Sequence, residues 1–584
     1  MSSLAQSASP ASAGASVFGK ALSVRKEAAQ RGMSKSAVSR ERAAAKARAM
    51  AEELAALRGQ LAASQSRAAA APVAASVATA AEKPRVRVKA GSAPIAAEAP
   101  APKVGKPIAG GTLVPPEARE RRARGRRFVL VGAQNNTWAH RDFIESLRVY
   151  CDLNGSRLMV SGLPYNRDGW EQPHRLTKED DSLWYDPLVE PFMSDETLWL
   201  ADSLLWCGKV ATPITAADPL SGMESFTRDA SGIFPHTKVA MKSLAGMKSH
   251  GARFIYTTGC CTQRNYIQRK VGQKAEFHHV FGALAVEVAS DGAWFARQLI
   301  ADEGGRFQDL ETVYTPHGAR RANVAGIVWG DIHRKHLEGG MFRACWGDGG
   351  ILDTLHPRWQ VAHDVLHFTG PSHHSLKDPF LQAQYYRDGS NSVEHELDGD
   401  ADFFLGIERP WCETIVPDAN HHCHLRRWLT EADFRKDPAN ARIGHYLAWR
   451  IHEAIERGEN INIYEVAVRE AAERKRKGAL KRTRWLLPDE SFEVAGVECG
   501  LHGDLGPNGA RGSPKSFRQL GRRAVTGHTH SAGIVDGVWT VGVTGSLDQG
   551  YNKGPSSWSH THCVIFENGK RQLITMQGDR WRAD

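Results

Sequence analysis

Val324-Ala325-Gly326-Ile327-Val328-Trp329-Gly330-Asp331-Ile332-His333 is the stretch that decides the fold. Its first six residues make a short apolar run of the kind that fills a buried strand. Gly330 then leads into an aspartate and a histidine two positions apart. Three later fragments repeat this design: Glu413-Thr414-Ile415-Val416-Pro417 runs into Asp418-Ala419-Asn420-His421-His422, Leu501-His502-Gly503 stands alone, and Gly527-His528-Thr529-His530 follows. Each puts oxygen or imidazole donors at the tip of a strand. Carboxylate, amide oxygen and imidazole suit divalent ions, and imidazole tilts the choice toward Mn, Fe or Zn. Side chains two apart on an extended strand point the same way. Asp331 with His333, and His528 with His530, are therefore each read as a pair that grips one ion.

Around these fragments the pattern predicts one domain over 316–584. Val538–Val543 and Val564–Phe566 read as closing strands, and 440–485 as helical, with an apolar stripe that changes into Arg474-Lys475-Arg476-Lys477. A smaller α/β domain is expected over 128–315. Its strand candidates are Phe128–Gly132, Arg157–Ser161, Val210–Ile214, Phe254–Thr258 and Leu284–Val288, with a helix over Arg141–Cys151. Strands alternating with helices predict a mainly parallel sheet. Gly132-Ala133-Gln134-Asn135-Asn136 after the first strand is either an anion-holding loop of backbone N–H groups or a plain turn.

The chain of 584 residues exceeds one typical core, and 41% hydrophobic with 24% charged residues is ordinary for a soluble protein. No apolar run approaches a membrane span and no secretory leader is evident, so an intracellular protein is expected. The nine cysteines are scattered without a C-x-x-C pair, which argues against a zinc knuckle or a disulfide framework and for small buried hydrophobes. The net charge of +10 is uneven: residues 1–127 hold 23 Lys+Arg against 8 Glu, and the remainder holds 52 against 57 acidic residues. Such a basic arm attracts polyanions, or else serves as a solubilising tail. Within it, 1–65 reads as helical after a Ser/Ala-rich start, either a helix-turn-helix centred on Gly32 and Ser34 or a coiled coil through Leu54, Leu57 and Leu61. Residues 66–127 have Ala/Pro-rich basic linker composition.

The four fragments, in this order, resemble the calcineurin-like metallophosphoesterases, the group that holds the Mre-type DNA repair nucleases. The stretch from His502-Gly503-Asp504-Leu505-Gly506-Pro507-Asn508-Gly509 through Gly527-His528-Thr529-His530-Ser531 to Gly554-Pro555-Ser556-Ser557-Trp558 is more similar still to the DNA-transfer (pre-early nuclease) proteins of tailed phages. The resemblance implies an αββα metallophosphoesterase sandwich, preceded by the smaller α/β domain and the helical or disordered basic arm. It implies two divalent ions, Mn²⁺ ahead of Mg²⁺. One would take Asp331, His333 and His530, the other Asn420, His502 and His528, with Asp364 shared. The family's Gly-Asp-x-x-Asp is here His363-Asp364-Val365-Leu366-His367, without the glycine or the second carboxylate, and Asp353 competes for the shared role. His421 takes the position that protonates the leaving oxygen, a task that fits an imidazole pKa of about 6.5, unless it is a structural histidine bonding the shared carboxylate. His422 and His424 have no mapped role, and His373 and His374 are candidates to line the cleft. Two ions would screen the diester's charge, activate water and hold the phosphate in line.

The donors alone do not choose a substrate. Arg474, Lys475, Arg476, Lys477, Arg522 and Arg523 are candidate DNA contacts, against the alternative of solvated surface, and Trp485 and Trp558 are candidates to stack on bases. The expectation is a phage DNase acting in the host cytoplasm, involved in host DNA degradation and genome entry. It is expected to form a homo-oligomer, to pair with other DNA-transfer proteins and to have no transmembrane segment. Two alternatives remain: a small-molecule phosphodiesterase or phosphatase, and a DNA-binding transfer factor with a degraded metal site.

Overall fold

Two sheets packed face to face carry the fold in this computed structural model, which describes residues 121–165, 183–210, 212–372 and 375–583. The first has six strands in the order Thr483–Trp485, Glu413–Val416, Trp359–Val361, Gly326–Val328, Thr561–Ile565, Arg571–Thr575. The first four run parallel, and the last two join antiparallel. The expected strand at 324–329 thus sits in the middle of its sheet. Ile327 faces a core built with the helices Gly339–Trp346, Val393–Ile407, Asn420–Glu431 and Ile463–Lys475, whereas Val328 faces the second sheet. The same alternation holds for Ala362 against Val361, Val416 against Ile415, and Val564 against Ile565. Burial on both faces is why these strands read as continuous apolar runs.

The second sheet has ten strands. Glu493–Val494, Val497–Glu498, Ala524–Thr526, Val538–Thr540 and Gly533–Val535 make one side, and Met241–Leu244, Arg253–Thr257, Ser231–Phe234, Leu204–Cys207 and Thr197–Ala201 complete it. The two halves meet where Ile534 pairs with Met241 and Gly533 with Lys242. The 128–315 and 316–584 spans therefore share a sheet, and a boundary near 315 divides the sequence without dividing this layer. The described residues lie within one compact unit, 108–584.

A four-stranded sheet, Arg157–Leu163, Arg127–Gln134, Gly282–Val288 and Trp294–Ile300, holds the strands expected at 128, 157 and 284. It is not mainly parallel: only the first pair is, because Gly282–Val288 and Trp294–Ile300 return as a hairpin. The helix Arg141–Asn154 packs Phe143, Ile144, Leu147 and Tyr150 inward at helical spacing. The His140 side chain accepts from the Phe143 amide at its start, and Gly155 ends it in the left-handed region, where glycine costs least. No strand covers the described part of 210–214; the strand lies earlier, at Leu204–Cys207. Pro213 lacks the amide that a ladder needs. Eight of the nine cysteines are buried and none forms a disulfide. No described helix is long and apolar enough to cross a membrane. The expectations for 1–65 and for the linker up to 120, and those for His373 and His374, lie outside the described residues.

Candidate metal centre

The seven expected donors converge where the carboxyl ends of the two sheets meet. Asp331 and His333 follow the strand Gly326–Val328, Asp364 follows Trp359–Val361, and Asn420 opens the helix after Glu413–Val416. His502 follows Val497–Glu498, and His528 and His530 follow Ala524–Thr526. Backbone bonds extend the strand pairing past the strand ends: Ile332 N donates to His363 O at 3.0 Å, His333 N to Asp364 O at 2.9 Å, and Thr544 N to Asp331 O at 2.7 Å. Gly330 is required here, since a Cβ on it would lie 2.8 Å from Val543 N.

On one side, His530 Nε2 lies 3.0 Å from Asp331 Oδ2 and 3.0 Å from His333 Nε2. On the other, Asn420 Oδ1 lies 3.1 Å from both His502 Nε2 and His528 Nδ1. Between them stands Asp364, whose Oδ2 is 3.6 Å from His502 Nε2 and 3.9 Å from His333 Nε2. The trios Asp331–His333–His530 and Asp331–Asp364–His502 each bring their donor atoms within 4.8 Å of one another. Asp353 is elsewhere, accepting from Arg409 Nε at 3.0 Å.

The pairs do not arise from a strand's two-residue period. His333, Asp364, His528 and His530 all have positive φ, at 40°, 48°, 68° and 56°. Left-handed backbone at non-glycine residues costs energy and collects at functional sites. Here it turns four donors inward from loops that a straight strand would carry past the centre.

The donor set fits divalent cations. Asp331 Oδ1 and Asp364 Oδ1 are buried without a hydrogen-bond partner among the described residues, a costly state for a carboxylate unless a cation meets it. Burial, and then the charges of Asp331 and Asp504, push the Asp364 carboxyl well above its usual range. Burial alone would also raise Asp331, but the imidazoles of His502 and His530 hold it low. Burial pushes His333 and His502 well below the ordinary imidazole value and lowers His528. Neutral imidazole is the form that binds a metal.

His421 donates from Nδ1 to His367 O at 2.8 Å, and its ring lies 4.8 Å from that of His333. The bond to the carbonyl leaves Nε2 as the free nitrogen. Burial depresses its pKa to about 4. His422 accepts from Val365 N at 3.1 Å and so pins the loop that carries Asp364. The His424 ring packs 4.8 Å from His421.

Three further histidines belong to the centre. His367 Nδ1 lies 3.3 Å from His333 Nδ1, and its Nε2 lies 3.2 Å from His336 Nε2. His363 Nδ1 lies 3.4 Å from His502 Nδ1. An imidazole thus stands behind His333 at the place of the missing second carboxylate, and such outer partners fix the tautomer of a ligating ring. The only sequence signal was that His363 and His367 flank Asp364.

Most of the candidate DNA contacts are paired with acidic side chains. Arg474 pairs with Asp398 at 3.0 Å, Lys475 with Asp402 at 2.6 Å, Arg476 with Glu408, and Arg522 with Glu493 at 2.6 Å. Arg523 donates to Gly569 O at 2.8 Å. Acidic side chains, mostly from the helix Val393–Ile407 and its end, satisfy the cluster that the sequence left open. Lys477 has no ion pair among the described residues. Trp485 is buried in the helical core, while Trp558 packs edge-on against His530, centroids 4.2 Å apart.

Fold and centre together define a class in coarse terms: a mixed α/β protein whose buried histidines and aspartates could hold metal. Within it, the chain belongs to the family of Protein A1 of Escherichia phage T5, to which it is 38% identical over 476 residues, covering 79% of this chain and 83% of the phage protein. No family model and no solved structure matches the chain.

Proposed function

We propose that this protein is a dinuclear-metal-dependent phosphodiesterase that cleaves DNA, on a fold of the calcineurin-like metallophosphoesterase type. The observation that carries the reading is Asp364, set between His333 and His502 with one buried oxygen unpartnered. Asp331, His333 and His530 would hold one ion, and Asn420, His502 and His528 the other, with Asp364 common to both. Ions held there would supply Lewis-acid charge to the phosphate and make water a nucleophile near neutral pH. His421 would face the leaving oxygen through Nε2, with Nδ1 fixed on the His367 carbonyl. An anionic phosphate beside it would raise its pKa and let it carry a proton. The phage relative supports a role in the infected host cell, for which the host cytoplasm is the proposed location.

Cleavage of plasmid and linear DNA with Mn²⁺, Mg²⁺ or EDTA tests this, beside an Asp331→Ala/His530→Ala double variant. Activity with Mn²⁺ that is abolished in the variant is expected; equal cleavage by both proteins would falsify the reading. The small-diester alternative gains from one observation, the neutralisation of Arg474, Lys475 and Arg476. It requires turnover of cyclic nucleotides without salt-sensitive DNA affinity. The unbroken donor set counts against a degraded site.

A further inference from the structure

Among the described aromatic rings packed on histidines of the centre, Tyr551 is the most exposed. Three aromatic side chains pack on those histidines: Tyr464 on His422, Trp558 on His530 and Tyr551 on His367. Tyr464 is fully buried, whereas Tyr551 is 52% exposed. One face of Tyr551 lies nearly parallel to His367, at 6.2 Å and 29°, and Trp558 braces it at 5.6 Å and 64°. About half of the residue's surface meets solvent.

The ring is held in place. Ser546 N donates to His336 O at 2.8 Å, Asn552 Nδ2 to Leu547 O at 2.9 Å, and Lys553 N to Tyr551 O at 3.0 Å. Gly246 and Ser556 exchange backbone bonds of 3.0 and 2.8 Å at the far end of the segment. The phenol donates to Gln549 Oε1 at 3.3 Å, which orients the ring. A rigid tyrosine loses little conformational freedom when it receives a flat partner. Lys553, exposed two residues on, has no ion pair among the described residues and adds positive charge.

We propose that the open face of Tyr551 is a stacking site for the nucleobase next to the scissile phosphate, so that the centre takes diesters whose neighbouring nucleotide is unstacked. Inside a duplex both faces of a base are covered, so the substrate is single-stranded DNA, a frayed end or a gap. This rests on the phosphodiesterase reading and narrows its substrate class.

The test uses the full chain and two single-stranded probes of equal length and charge: oligodeoxythymidylate and an abasic oligomer. Because the charges match, the basic arm contributes equally to both. Binding is measured by calorimetry in EDTA, and cleavage separately with Mn²⁺, for the wild type, Tyr551→Phe and Tyr551→Leu. Wild type and Tyr551→Phe are expected to bind the base-bearing probe roughly 5- to 150-fold more tightly than the abasic one. In Tyr551→Leu that ratio falls toward one. Equal binding of both probes by the wild type, or an undiminished ratio in Tyr551→Leu, overturns the stacking site. Cleavage without base dependence sinks the stacking site and leaves the phosphodiesterase standing. Base-dependent binding without cleavage at any metal does the reverse.

Discussion

Gly527 stands so close to Asp331 that a Cβ on it would overlap the carboxylate's Oδ1 and press the His363 ring at 3.3 Å. Both neighbours are buried and fixed, so neither gives way. Gly527→Ala should cost about 1–3 kcal/mol, the usual price of overpacking, and displace the unpartnered Asp331 oxygen. The expected outcome is a folded protein with Mn²⁺ affinity at least tenfold weaker in calorimetry; unchanged affinity would show that Asp331 Oδ1 has no part in the site. Six of the seven side chains brought together were legible because their fragments pair an apolar or glycine-flanked stretch with oxygen and imidazole donors, whereas Asp364 was indicated only by the resemblance. The left-handed backbone at His333, Asp364, His528 and His530 was not legible, because none is the glycine that usually marks it. The contacts of His367 and His336 were hidden too, since they depend on where two loops meet.

At the scale of elements, the helix Ile463–Lys475 ends in a basic run whose acidic partners lie far away in sequence. Its terminal Arg474 and Lys475, and Arg476 just beyond, reach Asp398, Asp402 and Glu408. Those acids lie about seventy positions earlier, where a local reading of charge cannot see them. Largely exposed pairs of this kind each contribute at most about 1 kcal/mol to stability, and while they hold they offset part of the local positive charge. Replacing all three bases with alanine should lower DNA affinity less than twofold at moderate salt. Removing 1–118 should weaken binding and flatten its salt dependence; a large loss in the triple variant would restore the helix as a DNA contact. The strand expected at 210–214 failed on local chemistry, since Pro213 argued against it. The strands at 326–328, 413–416 and 127–134 were found because burial on both faces leaves a plain apolar signature.

Across the whole molecule, several imidazoles are buried neutral away from the metal donors. Burial depresses His236 to about 4 and His279 and His562 to about 3. Unfolded, each titrates near 6.5. Between about pH 6.5 and 4 the unfolded chain takes up protons that the folded chain refuses, so these groups lower stability as the pH falls through that window. Asp400, which burial pushes up to about 7, acts in the opposite sense. The informative comparison is therefore between variant and wild type. His562→Gln should reduce the slope of unfolding free energy against pH by up to about 1.4 kcal/mol per unit, read from urea unfolding between pH 6.5 and 4.5. An unaltered slope would mean that His562 titrates normally. The shared ten-stranded sheet was invisible in sequence for a related reason: Ile534 and Met241 meet across nearly three hundred residues, and nothing local records it.

The pairing of Gly326–Val328 with Thr561–Ile565, likewise distant in sequence, has a consequence for the timing of synthesis. The strand that delivers Asp331 pairs on one side with Thr561–Ile565, and the last donors are His528 and His530. A chain still emerging from the ribosome holds Asp331, His333 and Asp364 long before their counterparts exist. It is chemically silent until almost all of the sequence has been translated and the late strand has slotted in beside the early one. On the proposed reading, such wiring keeps a nuclease from cutting while it is still being made.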